Sequence, residues 1–297
     1  MLKKRIFAGV LTVALVASLG ILAAFAGNIP AVTQGKTGVT VYRNTKAAVD
    51  ASNLAEGYLL VSYTGGKQVR TRVQIVKTGG VGYLYELKND GTVETFPLTE
   101  GDGDYTIKVY ENVGGDKYAT AYSCSVTMKL RDQFLPFLYP NQFVNFTENS
   151  NVVKTASTIT KNSKTDLEKV TVVFDYVVDH FTYDYELAKN VKSGYVPVVD
   201  AVLKSKKGIC FDYAAVMASM LRSQKIPCKL VVGYAGEIYH AWINVYIQGQ
   251  GWVDKAIYFD GKSWSLMDPT FVSSGKRSDQ IMKYVTTEKN YTQKFAY

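Results

Sequence analysis

Apolar side chains recur at Val170, Phe174, Val177 and Phe181, a spacing that keeps them on one face of a helix. Thr165 followed by Glu168 supplies a capping box at its start. A longer helix is predicted over 210–223, where Cys210, Ala214, Met217 and Leu221 form a stripe, and a short one over 197–203. Elsewhere the period is two. Over 69–76, Val69, Val73 and Ile75 alternate with Arg70, Arg72 and Gln74, the mark of a half-buried strand. Further strands are predicted over 58–63, 83–87, 92–96, 105–110 and 118–130. Asn89-Asp90-Gly91 predicts a hairpin joining 83–87 to 92–96, and Gly114-Gly115-Asp116 separates the last pair. Gly101-Asp102-Gly103-Asp104 reads as a hairpin turn, because it lacks the acidic run and distal Glu of a calcium loop.

Strands this short, with turn residues between them, predict a sandwich. Residues 27–55 read as a loose lead-in, 36–130 as an Ig-like β domain, and 131–153 as an aromatic connector holding Pro136 and Pro140. Residues 154–297 read as a second domain. Its helical half is followed by strands over 229–234, 241–247, 251–257 and 263–266, so the fold class is α+β. A length of 297 residues agrees with about two domains.

The first 26 residues stand apart. Lys3, Lys4 and Arg5 precede an apolar run that reaches Ala24-Phe25-Ala26, a small-residue site before Gly27. This is the pattern of a secretory signal peptide. The run is also long enough for a retained membrane anchor. Either reading places the remainder outside the cell, secreted or at the cell surface or wall. Three of the net +8 charges sit in that segment, so the remainder is mildly basic. No basic and aromatic cluster suggests a nucleic-acid partner. Three cysteines are too few, and odd in number, for a disulfide scaffold. Cys124 alternates inward along its strand and Cys228 opens an apolar one, so both read as buried core thiols.

The chemistry falls on Cys210, His240 and Asp268. Cys210 begins a helix after Lys207-Gly208-Ile209, His240 begins the strand His240-Ala241-Trp242, and Asp268 lies in Met267-Asp268-Pro269-Thr270. A thiol at a helix start faces unpaired N–H groups and the positive end of the dipole, a setting that favours thiolate. A histidine can take its proton, and an acid can hold the imidazole tautomer. The chain has only two histidines, and His180 reads as a partly exposed residue at a helix end.

These stretches, with Phe211-Asp212-Tyr213-Ala214, Leu221-Arg222-Ser223-Gln224-Lys225-Ile226-Pro227 and Val232-Gly233-Tyr234, resemble the transglutaminase-like superfamily, a papain-like fold. The resemblance covers 160–272. It implies Cys210 as nucleophile, His240 as general base and acid, and Asp268 as the group orienting the imidazole. In that family an aromatic upstream of the cysteine can complete the oxyanion hole. Tyr183 is the candidate here, with simple packing as its other reading. Trp242 either shields the Cys–His pair or is core. No cofactor or metal is implied, and the calcium pattern of the animal cross-linking enzymes is missing. The expected activity is amide hydrolysis or acyl transfer through a thioester, by a monomer acting on protein or cell-wall peptide, with a lean to hydrolysis. The other reading is a surface-binding or structural protein on the same scaffold.

Overall fold

The computed structural model describes residues 38–66, 68–254, 257–259, 264–266 and 291–297. The segment 1–26 and Asp268 lie outside the described residues. Eight strands come first: β1 (Val41–Arg43), β2 (Ala47–Asp50), β3 (Tyr58–Tyr63), β4 (Thr71–Lys77), β5 (Gly82–Leu87), β6 (Glu94–Pro97), β7 (Gly103–Gly114) and β8 (Lys117–Met128). They form two antiparallel sheets ordered β1-β2-β3-β6 and β5-β4-β7-β8. Alternation explains the arrangement. Val49, Val61 and Tyr63 from the first sheet share one core with Val73, Ile75, Ile107 and Val109 from the second. Each such side chain contributes about 1.5–3 kcal/mol of gross burial.

The lead-in expected over 27–55 contains β1 and β2. The hairpin expected at Asn89-Asp90-Gly91 does not form. β5 pairs with β4, and β6 pairs with β3, so this turn passes the chain from one sheet to the other. Phe96 takes its place opposite Leu59, fully buried, which a hairpin with β5 would deny it. The 101–104 turn also crosses between sheets, leading from β6 to β7, and Asp102 Oδ1 accepts from the Leu130 N–H at 2.8 Å. The Gly114-Gly115-Asp116 hairpin is present, with Gly114 opposite Lys117. Cys124 is half-buried rather than buried, because β8 is an edge strand with one flank open.

The second half runs α1 (Asn151–Ile159), α2 (Asp166–His180), β9 (Thr182–Tyr183), α3 (Tyr185–Asn190), α4 (Val199–Ser205), β10 (Lys207–Gly208), α5 (Cys210–Ser223), β11 (Cys228–Ala235), β12 (Ile238–Ile247), β13 (Gly251–Val253), β14 (Ile257–Phe259), β15 (Trp264–Leu266) and β16 (Tyr291–Ala296). The predicted α2 stripe is buried, and Thr165 Oγ1 accepts from the Glu168 N–H at 3.2 Å. Of the strand expected over 251–257, 251–253 form β13 and residue 257 opens β14. β13, β12, β11 and β16 form an antiparallel sheet, and α5 packs against β11 and β12. From Asp212 to Arg222 every residue of α5 is buried. Among the described residues no helix is long and apolar enough to cross a membrane.

The two halves share a core. Tyr83 meets Phe295 and Tyr297 edge-on at 5.3 and 5.5 Å, and Tyr85 stacks on Phe143 of the connector at 5.6 Å. The Thr99 hydroxyl donates to the Ala296 carbonyl at 2.7 Å, and Arg70 to the Ser193 carbonyl at 3.0 Å. Gly194 approaches from the second half with φ +88°, and a Cβ there would stand 2.7 Å from Glu86 Cγ. Glycine therefore suits both the backbone angle and the close approach.

Candidate active site

Ile209 is extended at φ −99°, ψ 177°, and the helix begins at Cys210. Asp212 fixes that start. Its Oδ2 accepts from the Ile209 N–H at 2.8 Å, and its Oδ1 accepts from the Tyr195 hydroxyl at 2.7 Å. The carboxyl is fully buried. Burial pushes it up from the ordinary carboxylate range, while the Ile209 and Tyr195 hydrogen bonds pull it back. With the chain held this way, the first-turn N–H groups of α5 have no intrahelical acceptor.

Tyr183 reaches the same place by another route. β9 and β10 pair in parallel, which sets Tyr183 opposite Gly208, two residues before Cys210. The Asp184 N–H donates to the Gly208 carbonyl at 2.9 Å and closes this short ladder. His240 comes from β12, where it lies opposite Gly233 of β11 and is 5% exposed.

Cys210, His240 and Tyr183 line one cavity of about 480 Å³. That volume falls within the range of about 300–1,000 Å³ typical of ligand sites. The far wall is supplied by the first half of the chain, through Arg72 on β4 and Leu84 and Glu86 on β5. Arg70 and Arg72 both pair with Glu86, at 2.6 and 3.0 Å, so the acid on that wall is neutralised. Asp268 lies outside the described residues.

The three thiols differ. Burial pushes Cys124 up to about 11 and Cys228 up to about 12, which keeps both protonated at neutral pH. Cys228 is fully buried, whereas Cys210 is half-buried and faces the cavity. His180 is exposed at the end of α2, stacked on Tyr176 at 4.7 Å, and is not part of the cavity wall. Trp242 is 1% exposed and meets Tyr291 edge-on at 5.3 Å, so its place is in the core. Among the described residues no group of His, Cys, Asp and Glu is arranged to hold a metal ion.

Three features escaped the sequence pattern. Asp212 stands three positions after the N-cap, the acid position of a capping box, and that spacing was a usable signal. Its partner Tyr195, and the wall built by β4 and β5, come from distant segments with no local mark.

Comparison with known proteins agrees with this architecture. Residues 153–269 match the family model of the transglutaminase-like superfamily. The chain is 25% identical over 193 residues to the uncharacterized protein YebA of Bacillus subtilis (strain 168), covering 56% of this chain and 25% of that protein. It is 27% identical over 139 residues to the kyphoscoliosis peptidase of Mus musculus, covering 43% and 19% respectively. It is 28% identical over 116 residues to the protein-glutamine gamma-glutamyltransferase of Pseudomonas aeruginosa, covering 34% and 15%. The chain thus spans a quarter or less of the length of these relatives. Residues 153–269 form a transglutaminase-like domain, joined to a sheet-rich N-terminal region built as a β-sandwich.

Proposed function

We propose that the protein is an exported thiol enzyme that acts on peptide amides through a Cys210 thioester, with hydrolysis favoured over cross-linking. The observation that carries this reading is the opening of Cys210, at the first turn of α5, into the cavity that His240 also lines. Of the three cysteines, Cys210 is the one that lines this cavity.

In this reading the Cys210 thiolate attacks the amide carbonyl carbon. The oxyanion that forms is met by the Cys210 N–H and by the Tyr183 hydroxyl. The C–N bond then breaks, and the leaving amine takes a proton from the His240 imidazolium. Water, deprotonated by His240, attacks the thioester and restores the thiolate. An amine in place of water gives transfer. Asp268 orients the imidazole. Relatives named for a peptidase and for a glutamyltransferase are compatible with both outcomes. Export rests on the leader pattern of 1–26, and the substrate is a protein or cell-wall peptide.

Two measurements test the reading. Iodoacetamide at mildly acidic pH should label Cys210 selectively over Cys124 and Cys228, and His240→Ala should abolish the selectivity. Equal labelling of all three native thiols would support a non-catalytic scaffold. Mass spectrometry of casein treated with the protein, with and without a primary amine, separates new chain cuts, deamidation and amine adducts.

A further inference from the structure

β5 is the edge strand of its sheet, paired on one side with β4. Within an antiparallel strand the N–H and C=O of one residue point to the same side, and the side alternates along the chain. The Glu86 carbonyl accepts from Gln142 Nε2 at 2.7 Å, from the flank away from β4. Glu86 therefore presents its main chain outward, and so does Leu84 two residues earlier. Among the described residues the Leu84 N–H and C=O have no partner beyond β5. Leu84 and Glu86 line the cavity that holds Cys210 and His240. An unpaired strand edge is a template for another extended chain. Here that edge looks into the candidate active site.

The side chains around it suit the same occupant. Leu84 is 47% exposed, Val191 37% and Tyr239 58%, and these three bulky residues come from separate segments to line one cavity. Glu86 is held by Arg70 and Arg72, and Lys192 also lines the cavity, so among the described residues the wall has no unpaired acid to hold a cationic side chain. A cavity of 480 Å³ is roughly 8 Å across, the length of two to three residues of extended chain. A peptide of that length paired with Leu84 would lie in the cavity that Cys210 also lines.

We propose that the substrate is an extended peptide segment with bulky, apolar side chains, bound by main-chain pairing to the edge of β5 at Leu84. The sandwich is then part of the enzyme's substrate site. This rests on the reading of Cys210 as nucleophile only for the direction of the bound amide, since the pairing itself needs no chemistry.

The test uses the full chain carrying Cys210→Ser, which binds without turnover, and a tryptic digest of casein as probe. Leu84→Pro removes the outward N–H without touching the β4 ladder, a substitution that edge strands tolerate. Leu84→Ala removes the side chain and keeps the N–H. Retained peptides should be enriched in bulky, apolar residues. Leu84→Pro should weaken their retention by roughly tenfold, and Leu84→Ala by less. Amide exchange at Leu84 should slow when peptide is bound, a readout that stands even if the proline variant fails to fold. Retention unaltered by a folded Leu84→Pro, unchanged exchange at Leu84, or no retained peptide would each overturn the proposal. Iodoacetamide labelling of Cys210 in the otherwise unaltered chain, with and without Leu84→Pro, reports on the thiol separately. Selective labelling with no peptide bound would sink the edge-strand site and leave the thiol enzyme standing.

Discussion

Gly233 lies directly across β11 and β12 from His240, and its outer flank is pressed against the main chain of β16. A Cβ at Gly233 would stand 2.0 Å from the Thr292 carbonyl oxygen and 3.0 Å from Gln293 Cα. The obstacle is backbone, so no rotamer change relieves it. The β11–β16 register also shifts between Val232 and Gly233, which concentrates the irregularity beside the histidine. Gly233→Ala should therefore force β16 away, at a cost of about 1–3 kcal/mol, in the range of overpacked cores. Activity should fall further than stability, because the strand that carries His240 moves with its partner. Urea midpoints and product formation on casein check the two parts. An alanine variant with wild-type stability would show that β16 yields freely.

Arg222 is fully buried, and carbonyl oxygens receive its hydrogen bonds. Its guanidinium donates to Cys228 through Nε at 2.9 Å and Nη2 at 2.7 Å, to Tyr139 through Nη1 at 2.7 Å, and to Tyr297 through Nη2 at 2.6 Å. It thereby ties α5 to the connector, to β11 and to the residue after β16. Burial lowers it to about 10, still well above neutral pH, so it stays charged. Arg222→Met should leave these carbonyls without a donor, each at about 1–3 kcal/mol unless water replaces the guanidinium. Arg222→Lys should recover only part, because one ammonium cannot reach three carbonyls fixed for a planar fork. Chemical denaturation of both variants is the measurement, and a methionine variant as stable as the parent would contradict the assignment.

The sequence shows these relationships unevenly. α5 begins at Cys210 and ends at Ser223 as its apolar pattern predicts, and the hairpin at Gly114-Gly115-Asp116 forms. Both depend on neighbours in sequence. The Asn89-Asp90-Gly91 turn carries the same local signal, yet joins two sheets, because the burial of Phe96 against β3 decides the pairing. Short elements such as α3 and β9 have too few residues for a period to emerge. Cys210, His240 and Tyr183 were legible as candidates and line one cavity. The wall formed by Leu84 was not, since an edge strand looks like any other strand until its partners are known.

Tyr195 supplies a prediction with a pH signature. Its hydroxyl donates to the buried Asp212 carboxyl, which burial already pushes up. Tyr195→Phe removes a donor that favours the carboxylate, so the folded-state pKa of Asp212 should rise further. A raised acid titrates in the folded state above its unfolded value. Its stabilising contribution is complete below the unfolded pKa and is lost as pH climbs through the folded one. The variant should therefore lose about 1–2 kcal/mol at neutral pH, and the deficit should shrink as the medium is acidified. The labelling rate of Cys210 should also change, because Asp212 sets the start of α5. A deficit independent of pH would mean that the hydroxyl acts through packing alone.

Alkaline stability offers the last prediction. Tyr58 and Tyr83 are 8% and 5% exposed. Burial is the largest cause that moves each from 10.0 to about 12, with Glu56 and Asp50 adding to it for Tyr58. For Tyr83 the Thr99 and Ala296 hydrogen bonds pull down while Glu100 pushes up. In the unfolded chain both phenols ionise near their ordinary value, whereas in the folded protein they hold their protons about two units longer. Each therefore stabilises the fold fully below pH 10.0 and gives up about 3 kcal/mol as pH rises towards about 12. The urea midpoint should be flat through neutral pH and fall steeply in that window. Phenolate absorbance should rise together with unfolding for these buried rings. Tyr83→Phe tests the assignment, because it should flatten part of the alkaline slope while removing the bond to Glu100 at every pH. A slope unchanged in that variant would place the alkaline transition elsewhere in the molecule.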